Sequence, residues 1–186
     1  ADKGYAEAAD VLEVCKKFAP NANPHPAVAP ELSLRAAPAA AKPWKDASGA
    51  GQKVGIVGFD TFVRSDVADY LALFGLPDGT IDNLSQVHVN GGAPLGPDQR
   101  EVLLDIDTIL TGAPNAKVVV YDAPFSGSGS FQALFDRAIG DGVTIISNSW
   151  TYCEDQTTAA DVQSIDAILA TAAGAGISVF NASGDA

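Results

Sequence analysis

The chain has 186 residues, 47% hydrophobic and 18% charged, which suits one globular core. It contains no run approaching the ~20 apolar residues that span a bilayer, so no membrane-embedded segment is expected. Its 23 Asp and Glu outnumber 11 Lys and Arg, and a net charge of -12 would be repelled by a phosphate backbone, which excludes nucleic acid as an expected partner.

The carboxylate excess suits a protein working in acid, where protonation brings the charge toward zero. Residues 1–48 differ in texture from the rest. Tyr5 to Phe18 reads as a short helix with Ala8, Val11, Leu12, Cys15 and Phe18 at its apolar positions. Pro20, Pro24, Pro26, Pro30, Pro38 and Pro43 then predict an extended arm, either draped on a domain or left from a removed pro-segment. The chain has no methionine and no basic segment leading into an apolar core, so a processed chain without a signal peptide is expected.

From residue 49 onward, strands and helices alternate. Lys53 to Phe59 reads as a buried strand, Asp66 to Phe74 as a helix ended by Gly75 and Pro77, and Leu84 to Val89 as a second strand. Pro97 to Leu110 is a predicted helix, Lys117 to Tyr121 a strand, Ser130 to Ile139 a helix and Val143 to Ser147 a strand. Thr158 to Ala173 follows as a helix and Ile177 to Asn181 as a strand. This order predicts an α/β fold over residues 49–186, a mostly parallel sheet with helices on both faces and its chemistry at the carboxyl ends of the strands.

Glu101 and Asp105 lie four residues apart and so share one helix face. Spacing alone fits a solvated acidic face near a helix start. The surrounding Val102, Leu103, Leu104, Ile106, Ile109 and Leu110 instead predict a helix buried nearly all round, in which a carboxyl pair would share a proton and serve acid–base chemistry. Asp107 points elsewhere and reads as the solvated member. Ser183-Gly184-Asp185 follows the last strand as a turn at the active edge, and Ser149-Trp150 ends the strand before it. Each of these is weak by itself.

Other chemistries lack their residues. His25 lies in the proline-rich arm and His88 in a strand without a Ser/Asp companion motif, so a histidine-based triad is not expected. Gly55 to Asp60 lacks the spacing of a dinucleotide loop, and the Ser126 to Ser130 run lacks the lysine of a phosphate loop. No Cys/His spacing suggests zinc; Cys15 and Cys153 can pair or remain free thiols.

Taken together and in order, Glu101 to Asp107 before Ala113 to Lys117, Ile146 to Trp150, and Ser183 to Asp185 resemble the sedolisins, the serine-carboxyl peptidases. The resemblance covers residues 49–186 and implies a subtilisin-like fold, incomplete at its C-terminal side. It further implies a secreted, acid-acting endopeptidase with Glu101 as general base, Asp105 sharing its proton, Asp185 as a protonated oxyanion-hole donor, and Ser149 and Trp150 where the substrate backbone docks. The family's nucleophilic serine and its calcium site lie beyond Ala186, so both would come from a complementary C-terminal half, and this chain alone is expected to be inactive. The sequence departs from the family at Thr151 and Tyr152, where glycine is usual, at Gly58, where many relatives carry glutamate, and at Ala186, where serine is usual. A non-catalytic peptide-binding relative or an inactive fragment is the alternative.

Overall fold

The sheet is built outward from its central strand β1, Lys53–Gly58, whose run KVGIVG is buried on both faces, as a parallel strand covered by two helical layers must be. A computed structural model of the chain describes residues 48–127, 129–151 and 156–184. The predicted arm, both cysteines, His25, Asp185 and Ala186 fall outside those residues. After β1 come α1 (Arg64–Leu73), a 3-10 turn (Asp78–Asn83), β2 (Leu84–His88), α2 (Gln99–Gly112) and β3 (Lys117–Asp122). The remaining elements are α3 (Ser130–Gly140), β4 (Ile145–Asn148), α4 (Ala159–Gly174) and β5 (Ser178–Asn181).

The five strands lie in the order β2-β3-β1-β4-β5, and every pairing is parallel. Alternation along the strands then divides the core into two layers. On one face Ile56, Leu84, Val118 and Val120 meet Val67 and Leu71 of α1 and Val102, Ile106 and Leu110 of α2. On the other, Val57, Val119, Tyr121 and Ile146 meet Phe131, Leu134, Phe135 and Ala138 of α3 and Ala172 of α4. The expected α/β architecture, with a parallel sheet and helices on both faces, is what the chain forms.

Three helices stop in the same way, and this accounts for the strand starts that sequence reading places too early. Gly75, Gly142 and Gly176 adopt φ of 68, 68 and 75, the left-handed conformation that ends a helix at little steric cost to glycine. The next residue turns its N–H back five positions, from Leu76 to Leu71, Val143 to Ala138 and Ile177 to Ala172. Val143 and Ile177 are therefore buried helix stops, and β4 and β5 begin only at Ile145 and Ser178. Their apolar side chains look like strand residues because they plug the core from the turn.

The expectation that α2 is buried nearly all round is not met. Its fully buried residues are Val102, Ile106 and Leu110, one seam at i, i+4 and i+8, whereas Leu104 is 60% exposed. The helix is amphipathic, so its carboxylates sit on the flanks of a buried stripe. Ile106→Ala should destabilise the chain by about 2–5 kcal/mol in urea unfolding, while Leu104→Ala should change stability by no more than about 0.5 kcal/mol. Equal losses from the two substitutions would contradict this seating of α2.

Candidate active site

The carboxyl ends of β1, β3 and β4 carry the polar and aromatic groups of the site. Beyond β4, the Asn148 side chain organises the backbone: its Nδ2 donates to the Trp150 carbonyl at 3.0 Å, and its Oδ1 accepts from the Trp150 N–H at 3.2 Å. Asn148 Nδ2 also donates to Asn181 Oδ1 at 3.1 Å, tying the end of β4 to that of β5. This turn directs Ser149 toward the helical layer of α2, where Ser149 Oγ donates to Asp105 Oδ1 at 2.8 Å.

Its surroundings displace the titration of Asp105. Burial raises its pKa above the usual carboxylate value, the Ser149 hydrogen bond opposes that rise, and repulsion from Glu101 adds to it. The second oxygen, Asp105 Oδ2, is buried without a hydrogen-bond partner among the described residues. A proton at that oxygen would remove the charge that burial disfavours. Glu101 lies one turn earlier, half-buried, in the first turn of α2. The structure thus brings Glu101, Asp105 and Ser149 together, and places Trp150 beside them on a different set of contacts.

Trp150 packs on aromatic rings, with no described hydrogen bond linking its indole to the carboxylates. Its indole stands edge-on to Phe59 at 5.6 Å, and Phe59 in turn meets Phe125 at 5.1 Å and Phe131 at 4.7 Å, all in T-shaped geometry. Trp150 Nε1 is buried and lacks a hydrogen-bond partner among the described residues. Gly58 explains how the ring fits: a Cβ there would stand 3.2 Å from Nε1. A cleft of about 320 Å³ opens among Phe59, Asp98, Phe125, Phe131, Trp150 and Thr151. A second, of about 240 Å³, runs below Trp150 between Phe135, Val162, Ile165 and Leu169.

Two further residues depart from the sequence reading. Asp107, expected to be solvated, is half-buried, and its Oδ1 is buried without a partner among the described residues. It lies on the flank of α2 opposite Asp105, beside the Val102–Ile106–Leu110 seam, and burial pushes its pKa up to about 6. His88, read as lacking a companion motif in sequence, has a carboxylate companion in space: its Nδ1 lies 2.9 Å from Oδ1 of the fully buried Asp122. That companion was hidden because it comes from the register of β2 on β3, which sets His88 opposite Asp122 across 34 residues of sequence.

The chain folds into a parallel α/β sheet with a carboxylate pair on one covering helix, and its sequence similarity makes it a relative of the sedolisins. Kumamolisin from Bacillus sp. (strain MN-32) is 33% identical to it in an alignment 150 residues long that covers 74% of this chain. The same match spans 26% of kumamolisin, so the chain covers about a quarter of the length of that curated relative. No family model matches. Among solved structures, a PatG macrocyclase in complex with peptide is similar with a TM-score of 0.41 and 13% identity, over 72% of this chain and 50% of that one.

The elevated Asp107 gives a pH signature. Its folded pKa of about 6 stands above the ordinary 3.8, so its contribution to stability is fully present below the ordinary value and is lost as pH rises through the folded one. Asp107→Asn should therefore raise stability at pH 7 by about 1 kcal/mol, a figure discounted for the solvent access of a half-buried group, and change it little near pH 3. Urea titrations at the two pH values check this; equal effects at both would contradict the burial of Asp107.

Proposed function

We propose that the chain supplies the carboxylate half of an acid-acting serine-carboxyl endopeptidase that cleaves peptide bonds of proteins, with the nucleophilic serine supplied by sequence outside these 186 residues. The observation that supports this reading best is the Ser149–Asp105 hydrogen bond of 2.8 Å on a carboxyl whose pKa burial has raised, one helical turn from Glu101. A carboxylate general base weakens as it protonates, so a partner that holds a proton beside it extends its working range in acid.

In this reading Glu101 takes the hydroxyl proton as the serine oxygen bonds to the substrate carbonyl, and Asp105 orients and shares that proton. The carbonyl electrons move onto oxygen, where a protonated Asp185 donates a hydrogen bond. Collapse expels the amine, which leaves with the proton from the carboxyl pair, and water repeats the sequence on the acyl-enzyme. The need for a protonated Asp185 at the same pH as an ionised Glu101 is what confines the reaction to acid. Trp150, next in sequence to Ser149, borders both clefts in which an extended peptide would lie.

Among the described residues, no group of three or more His, Cys, Asp or Glu side chains could hold a metal ion, and no step here runs through one. The calcium ion that the resemblance implies is proposed for the complementary C-terminal half. Among the described residues no helix is long and apolar enough to cross a membrane, and secretion remains part of the proposal. The aromatic clefts would also serve a non-catalytic peptide-binding relative, and one assay separates the two readings.

That assay uses acid-denatured protein at about pH 4, where a carboxyl pair shares a proton. The 186-residue chain alone should release no peptides, and the chain together with the serine-bearing polypeptide should release them. Glu101→Ala in the assembled form should lower kcat by ~100-fold or more. Full activity in that variant, or none in the assembled parent, would defeat the peptidase reading; peptide binding without cleavage would establish the alternative.

A further inference from the structure

The connection between β2 and α2 delivers Glu101, and two buried carboxylates outside the proposed reaction hold it. Asp60, 3% exposed, lies just after β1 and faces the start of α2. Its Oδ1 accepts from the N–H of Thr61 at 2.7 Å and of Gly96 at 2.7 Å, and its Oδ2 accepts from the N–H of Asp98 at 2.9 Å. Asp98 is the N-cap residue of α2, yet its own side chain makes no capping bond. Asp60 therefore places a negative charge and two acceptors where the helix start offers free N–H groups and the positive end of its dipole. The carbonyl of Asp98 accepts in turn from the Glu101 N–H at 3.0 Å, so two consecutive hydrogen bonds connect Asp60 to the Glu101 backbone.

Asp122, fully buried at the end of β3, holds the other end of the same connection. It accepts from the Ala93 N–H at 2.6 Å and from Gln86 Nε2 at 2.7 Å, and contacts His88 Nδ1. The fit is close at both carboxylates: a Cβ on Gly96 would lie 2.7 Å from Asp60 Oδ2, and one on Gly92 would lie 2.9 Å from Asp122 Oδ1. Asp60 follows Gly58 by two residues. The loop after β1 thus carries a carboxylate that grips the backbone of α2, while its last strand position leaves room for the Trp150 ring.

Resting on the reading of Glu101 as general base, we propose that Asp60 is a positioning residue that sets the start of α2 and with it the place of Glu101 and Asp105, and that Asp122 fixes the opposite end of the same loop. The pins are not catalytic residues, since they act through backbone N–H groups and not on substrate.

Backbone amide exchange and 13C carboxyl titration on the full chain test this. In the parent, the Gly96 and Asp98 amides should exchange at least ~10-fold slower than in an unstructured chain. Asp60→Asn turns one acceptor into a donor facing those amides. It should abolish their protection and lower the Asp105 titration midpoint toward the ordinary carboxylate range as water reaches it. Ala138→Gly, in the helical layer on the opposite face, should reduce stability without moving that midpoint. Unprotected Gly96 and Asp98 amides in the parent would overturn the proposal even if Asp60→Asn fails to fold. So would an Asp60→Asn variant that folds and leaves the Asp105 midpoint unchanged. Glu101→Gln in the same titration examines the underlying reading: an unmoved Asp105 midpoint there would remove the carboxyl pair while leaving the pins standing.

Discussion

The hydrogen bond from Ser149 to Asp105 joins a strand end to a covering helix across 44 residues of sequence, and the chemistry proposed for this chain depends on that junction. Two independent arrangements make it possible. The apolar seam of Val102, Ile106 and Leu110 presses α2 onto β1 and β3, which turns the flank bearing Asp105 toward the strand ends. The Asn148 side chain shapes the chain after β4 so that Ser149 faces that flank. Loss of either would leave a carboxyl in a partly apolar setting without the donor that makes its ionised form tolerable.

The junction also shows how a small site raises a carboxyl pKa without cations. No lysine or arginine contributes to the displacement of Asp105; burial, one hydroxyl donor and one neighbouring carboxylate account for it. The buried carboxylates Asp60 and Asp122 are handled differently, with backbone and side-chain N–H donors filling their acceptor positions. A carboxylate saturated by donors holds structure, whereas one left with an open oxygen is available to exchange a proton. Asp105 Oδ2 belongs to the second kind.

The sheet, its helices and their order were legible because a parallel strand buried on both faces, such as Lys53–Gly58, is nearly all apolar, and because Gly75 beside Pro77 marks a helix end. The carboxyl pair was legible because a four-residue spacing fixes a shared helix face. What escaped sequence reading depends on contacts between distant segments. Asp122 lies just past the strand read over Lys117 to Tyr121, and only the register sets it beside His88; only the packing of the start of α2 gives Asp60 its partners. Leu104 counted as core by composition, yet a helix lying on a sheet buries one stripe only. The aromatic setting of Trp150, made by the room at Gly58 and the Phe59 ring, likewise depends on packing between distant segments.

The central claim is that a carboxylate base and a protonated carboxylic acid must coexist for the reaction, and the pH–rate profile of the assembled enzyme on a denatured protein tests it most directly. The expected kcat/KM profile is a bell confined to acid, rising as the Glu101–Asp105 pair loses its first proton and falling as the oxyanion-hole acid loses its own. A rate that instead climbed through neutral pH to a plateau would show that no protonated carboxyl is needed, and would contradict the assignment.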